Sequence, residues 1–260
     1  RPVIFQEIGM MEDTPDDYIH VLSESAYWGD NSLGRPIIGN RENILSFDSD
    51  RLKKFFQRLY QPERIVISAA GNLEHEELVE LMAPAFESID KGNGFPVRET
   101  PLGCSGLSLN TRKLEQVHIC LETKGISATD PRRYTASLMN TILGGNMSSR
   151  LFQEIRERRG LAYSVYSFMS SYTDAGLSGV YVGTNPDKAP ECTELILQEL
   201  KKIRQEKISE SELNDAREYT RSALLLAVES VDSQMVRLAQ NEIHLGHDLP
   251  LEDIIKKIDS

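Results

Sequence analysis

At 260 residues, with 40% hydrophobic and 27% charged side chains, the chain is long enough for one large or two medium globular domains. Its formal net charge of −11 argues against a nucleic-acid partner held through phosphate contacts, though an acidic cleft would still attract basic peptides. No apolar run approaches the ~20 residues of a membrane span, so no membrane partner is expected.

Residues 3–11 are apolar and read as the end of a helix. Glu7 lies inside that stretch. If buried, its carboxylate needs a hydrogen-bond partner, a cation or a metal; otherwise it sits on a solvent face. Thr14-Pro15-Asp16-Asp17 is a helix start: Thr14 can cap, Pro15 suits the first turn, and the acids suit the positive end of the dipole. A Gly/Pro-punctuated loop follows at 32–39. Ser46 or Asp48 then opens a helix that stops before Pro62. Residues 64–70 (RIVISAA) are β-rich and predict a buried strand, and residues 74–88 predict a helix with His75 exposed in its first turn. Three glycines and two prolines in residues 91–103 mark an interdomain linker.

Beyond it, residues 107–109 and 117–122 read as strands. His118 falls on the face opposite Val117, Ile119 and Leu121, which predicts a solvated or hydrogen-bonded role. Asp130-Pro131 starts a helix that runs into Gly144-Gly145. Two serines open another helix over 151–159, which ends at Gly160, and an aromatic-rich strand begins near Tyr163. Arg156 and Tyr163, seven residues apart, can converge on one point, a planar fork of donors beside a phenolic donor. Such a pair can grip a carbonyl or an anion; the bland reading is a capped surface helix with ordinary charge spacing. Residues 163–172 and 176–184 form an antiparallel hairpin, followed by a helix over 187–206 and a long one that Ser209 and Glu212 open with a capping box and that could reach His244. His244 and His247 are three apart, but no third metal ligand is near in sequence, and histidines suit a helix C-terminus anyway. Cys104, Cys120 and Cys192 include no close pair and fit neither a disulfide framework nor a CxxC metal site. They read as buried or indifferent thiols and favour a reducing compartment, here the cytoplasm. The hairpin connectivity points to an α+β fold.

Six segments in order resemble the pitrilysin family of zinc metallopeptidases, and among its members the two-domain bacterial proteins similar to mitochondrial processing peptidase. They are residues 3–8, 12–17 and 33–39, Tyr60-Gln61-Pro62-Glu63-Arg64, the loop from Gly144 to Phe152, and Arg156 to Tyr163. The resemblance implies two related α/β-sandwich-like domains, each an antiparallel-rich sheet packed against helices. The first would be incomplete at its N-terminus and the second at its C-terminus. Residues 1–90 would be the later part of the zinc-ligand-bearing domain, 91–103 the linker, and 104–260 the substrate-contacting domain. Glu7 matches the family's third zinc ligand. The inverted His-x-x-Glu-His motif is absent, since none of His20, His75, His118, His244 and His247 has its spacing. The chain is therefore expected to be a fragment, itself inactive, of a zinc endopeptidase whose two histidine ligands lie outside it. Arg156 and Tyr163 match the residues that contact the substrate backbone near the zinc. The substrates implied are peptides or unfolded segments, and Glu7 together with the Arg156/Tyr163 pair suggests a homodimer. The alternative within the family is a non-catalytic scaffold or partner subunit.

Overall fold

A computed structural model of the chain describes residues 1–87, 89, 92 and 98–260. Most of the expected linker core, with the domain boundary at 90, lies outside the described residues. The chain up to residue 87 is helical: α1 (Pro2–Glu12), α2 (Pro15–Trp28), α3 (Arg41–Ser46), α4 (Ser49–Leu59) and α5 (His75–Glu87). Pro15 occupies the first turn of α2 beside Asp16 and Asp17, as the sequence predicts. Thr14, however, does not cap; its hydroxyl donates to the Met10 carbonyl (2.8 Å) and so ties α2 back to α1. Gly29 ends α2 with φ +55°, a conformation open to glycine, and Trp28 just before it is buried. Asp48 caps α4 by accepting from the Arg51 amide (2.7 Å).

Two expected strands are not strands. Residues 64–70 and 107–109 carry no ladder, and Val66 and Ile67 are 41% and 49% exposed. β-propensity alone does not make a strand. Its amides and carbonyls need a neighbouring strand, and among the described residues no strand pairs with either segment.

The sheet is three-stranded and antiparallel, in the order β1 (Val117–Lys124), β3 (Gly176–Thr184), β2 (Ala162–Ser171). β2 and β3 are the expected hairpin. Pleat parity sorts its side chains onto two faces. Val165, Val180 and Val182 face a core built with Leu143 at the end of α6 (Arg133–Leu143), Leu151, Ile155 and Ile196 of α7 (Ala189–Gln205). Burying such side chains contributes roughly 1.5–3 kcal/mol each before entropy is counted. Tyr166, Phe168, Tyr181 and His118 face the other way, where α2 lies across the sheet.

The predicted long C-terminal helix is two helices, α8 (Glu210–Glu229) and α9 (Val231–Leu245), with α10 (Leu251–Asp259) after them. Ser209 and Glu212 form the expected capping box, but Ser230 ends α8 and caps α9 through the Ser233 amide. A serine in extended backbone offers its hydroxyl to the next helix start, and that local bond outcompetes a continuous helix here. The α+β fold class stands, as helices packed on a small antiparallel sheet.

Candidate functional site

The site is built where α6 ends. Gly144 sits at φ −159°, ψ 12°, outside the left-handed region, and it is short of space. Its carbonyl accepts from the Ser167 amide on β2 (3.2 Å), and a Cβ at this position would lie 2.4 Å from that nitrogen. A Cβ on Gly145 would likewise crowd α6, lying 2.9 Å from the Thr141 Cα. The double glycine is thus a close-approach loop locking α6 to the edge of β2. Asn146 then organises the turn: its side chain accepts from the Ser148 amide (2.8 Å), and its carbonyl accepts from the buried Ser149 hydroxyl (2.6 Å).

The expected α-helix over 151–159 is instead a π-helix, Phe152–Glu157. The Arg158 amide reaches back five residues to the Gln153 carbonyl (2.9 Å), and the Leu161 amide reaches the Ile155 carbonyl (2.9 Å). Both Leu151 and Ile155 are fully buried, and the widened turn keeps both in the core. Such bulges frequently mark functional sites. Gly160 turns the chain at φ +60° into β2.

There a second irregularity follows. Ala162 pairs with Thr184 and Ser164 with Gly183, so Tyr163 is an extra residue, a β-bulge. Ala162 and Val165 both belong to the helix-side core, and Ser164, next to Val165, falls on the opposite face. Tyr163 is 77% exposed.

The bulge and the π-helix bring the two candidate residues together. The Arg156 guanidinium stacks on the Tyr163 ring, 5.0 Å from its centroid, and on Phe152, at 4.9 Å. Sequence reasoning passed over Phe152, which completes the aromatic cradle; its place four residues before Arg156 was the available signal. The neighbouring arginines are spoken for. Arg158 and Arg159 both pair with Glu154 (3.1 and 2.8 Å), and Arg159 foremost holds that carboxyl below its ordinary range. Among the described residues no carboxylate pairs with Arg156. The arrangement therefore offers a stacked, unneutralised guanidinium fork beside an exposed phenol, both donors.

Glu7 stands apart. It is exposed on α1, and among the described residues no hydrogen bond or ion pair engages it or links it to Arg156 or Tyr163. Nor do any three His, Cys, Asp or Glu residues gather closely enough, among those described, to hold a metal ion. His244 meets the Thr173 hydroxyl (2.8 Å), and His247 donates to the Leu245 carbonyl (3.0 Å).

Between α2 and the sheet lies a polar–aromatic layer that sequence reasoning did not assemble. His20 Nε2 meets the Tyr166 hydroxyl (2.8 Å), His118 Nδ1 meets the Tyr181 hydroxyl (2.9 Å), and the Ser23 hydroxyl donates to Glu122 (2.7 Å). His118 is thus hydrogen-bonded, as its position in the strand predicts. Burial lowers the pKa of both histidines and pushes the Cys120 thiol up to about 12, which makes it a poor nucleophile. Of the other cysteines, Cys192 is buried and Cys104 exposed. The partners in this layer lie up to 146 residues apart, beyond any spacing argument.

Two cavities are present at this level of the fold. One of 500 Å³ lies under the helix face near Lys124 and Ser178, at the far end of the sheet from Tyr163. The other, of 250 Å³, lies between α2 and the start of β1.

The family model described as "Peptidase M16 inactive domain" matches residues 46–219, two-thirds of the chain. The chain belongs to the peptidase M16 family. This is the pitrilysin family whose motifs it resembles. An uncharacterized zinc protease of Bacillus subtilis (strain 168), YmxG, is 38% identical over the whole chain, which covers 63% of that relative. An uncharacterized zinc protease of Streptomyces coelicolor is 35% identical, again over the whole chain, which covers 58% of it. Among solved structures, a peptidase M16 inactive domain from Pseudomonas fluorescens superposes with a TM-score of 0.88 at 22% identity, covering 99% of this chain and 62% of that one. A chain of Complex III2 from Candida albicans superposes at 0.87 with 19% identity, covering 100% and 64%. These likenesses place the M16 chain in its fold. It spans about three-fifths of the curated relatives it matches. No helix among its described residues is long and apolar enough to cross a membrane.

Proposed function

We propose that this M16 chain is the substrate-holding part of a zinc-dependent endopeptidase that cleaves peptides or unfolded, presequence-like segments. In this reading residues 1–90 belong to the zinc-bearing domain, with Glu7 as its contribution to the metal. Residues 104–260 form the domain that holds substrate. The whole protein would supply the remaining zinc ligands and the metal-activated water, and would act as a homodimer in the cytoplasm. The zinc-protease names of the relatives support the metal and the reaction class. The observation that carries the role of this chain is the Arg156 guanidinium, stacked on the exposed Tyr163 and paired with no carboxylate among the described residues.

The chemistry available to these residues is donation. The Arg156 fork and the Tyr163 phenol can both donate to one peptide carbonyl oxygen. As that carbon becomes tetrahedral and negative charge grows on the oxygen, both hydrogen bonds strengthen, so the pair favours the transition state over the ground state. Stacking on Phe152 and Tyr163 fixes the guanidinium plane before substrate arrives. In the full-length protein Tyr163→Phe should lower turnover by about 10²-fold, in line with the loss of one oxyanion donor, with zinc content unchanged. Unchanged turnover would remove Tyr163 from the mechanism.

The second reading is a non-catalytic scaffold or partner subunit. It is favoured by the description of the matching domain as inactive. Full-length protein that carries zinc yet cleaves no peptide would favour it.

A further inference from the structure

The strand register puts the smaller cavity and the Arg156–Tyr163 pair at one end of the sheet. Val117 pairs with Thr184, which pairs with Ala162; His118 pairs with Gly183, which pairs with Ser164. Tyr163 is exposed at that end, and the 250 Å³ cavity opens between α2 and the start of β1. Its walls include Tyr18, Ile19 and Leu22, on one stripe of α2, with Leu114, Val117 and His118 opposite. The walls are fixed. The Tyr181 hydroxyl holds the His118 ring (2.9 Å), and a Cβ on Gly183 would crowd that hydroxyl at 2.9 Å. Arg112, Asn110, Thr111 and Gln116 supply the polar part of the wall, and Arg112 is held by stacking on Tyr18 at 4.4 Å and by donating to the Glu12 carbonyl. What remains is a mostly apolar cup with room for one aromatic or branched side chain.

We infer that this cup is a specificity subsite which takes a large apolar side chain of the peptide that Arg156 and Tyr163 hold. The inference rests on the proposed substrate-holding role of that pair. β1 and β2 are two strand spacings apart, roughly 10 Å. An extended peptide covers that distance in about three residues. The side chain in the cup therefore belongs to a residue two or three positions from the carbonyl at Tyr163. An acyl carbonyl at one end and an apolar anchor at the other would fix both register and orientation of an otherwise floppy substrate.

The test uses full-length protein and two labelled nine-residue alanine-based peptides, one with a central Phe and one without. Wild-type protein should bind the Phe peptide about tenfold more tightly by fluorescence anisotropy, the usual scale of one apolar side chain in a pocket. Leu114→Trp, at a position already 43% exposed, fills the cup and should erase that difference. Leu114→Ala removes part of one wall and should reduce it, and circular dichroism checks that both variants stay folded. Tyr163→Phe should weaken both peptides alike and leave the ratio intact. Mass spectrometry of the products should place the cut two or three residues from Phe. The inference is overturned by equal binding of the two peptides to wild type, by a tenfold preference that survives Leu114→Trp, or by cleavage four or more residues away. A preference that Leu114→Trp abolishes, combined with a Tyr163→Phe protein of unchanged turnover and binding, would support the cup and sink the role of the pair instead.

Discussion

Gly144→Ala separates two reasons for keeping a glycine, because Gly160 nearby serves the other one. At Gly144 φ is negative (−159°), so the left-handed objection does not apply. The objection is the Ser167 amide nitrogen, 2.4 Å from the added Cβ, with the Ser167 hydroxyl at 2.9 Å. Relief requires β2 to move off the loop. That stretches the bond from the Ser167 amide to the Gly144 carbonyl (3.2 Å) and the one from the Ser167 hydroxyl to the Asn140 carbonyl (3.0 Å). Overpacking costs about 1–3 kcal/mol, and one lost hydrogen bond adds about 1 kcal/mol. The expected loss is about 2–4 kcal/mol, or roughly 4–16 °C in melting temperature for a chain of this size. At Gly160 nothing lies within 4 Å of an added Cβ, so only the left-handed backbone (φ +60°) objects. Gly160→Ala should therefore cost about 1–2 kcal/mol. Urea titration and thermal melting of both variants measure the order. The steric argument fails if Gly144→Ala is as mild as Gly160→Ala or milder.

Other outcomes follow from the charges. The Arg150 fork grips Glu212 (2.7 and 2.9 Å) and holds that carboxyl down at about 2, against an ordinary 4.5. Because the folded value lies below the unfolded one, this stabilisation is full above pH 4.5 and is lost as pH falls towards 2. With the Glu212 side chain 37% exposed, screening limits it to about 1 kcal/mol, and Glu212→Gln should remove that part of the acid sensitivity in pH-dependent urea titrations. For His20, burial lowers the pKa while Asp17 and Asp16 oppose the shift. Neutral His20 therefore supports the fold above pH 6.5, and that support is lost as pH falls below it. Protection factors of α2 amides, corrected for the intrinsic exchange rate at each pH, should fall between pH 7 and 5.5 in wild type and less so in His20→Gln. Finally, equilibrium dialysis of the 260-residue chain should find no stoichiometric zinc; one tightly held ion per chain would refute the reading of Glu7 as a lone ligand.

How far the sequence led depends on whether the deciding interaction was local. The hairpin around Thr173-Asp174, the start of α2 at Pro15 and the Ser209–Glu212 capping box are written within a few residues, and each was legible. Arg156 and Tyr163 were legible as a pair through their spacing and family resemblance. What was hidden is the way they meet: neither the π-helix nor the bulge at Tyr163 has a residue signature, since both arise from fitting Leu151, Ile155, Ala162 and Val165 into one core. Residues 64–70 show the reverse case, a strand pattern with no neighbour to realise it. The layer under α2 was illegible because His20 finds Tyr166 only through the tertiary fold. The place of Glu7 depends likewise on what surrounds α1.

The π-helix at Phe152–Glu157 sets a rule about length. A π-helix is an α-helix holding one surplus residue in a turn. Take one residue out between Arg156 and Gly160 and the pair is six apart. Every side chain beyond the deletion then swings by about 100° around the axis. Exposed helix–strand connections usually accept insertions and deletions freely, but this one meters the angle at which Arg156 meets Tyr163. A relative that keeps both residues but spaces them by six or eight would keep the same chemical groups and lose the shared target.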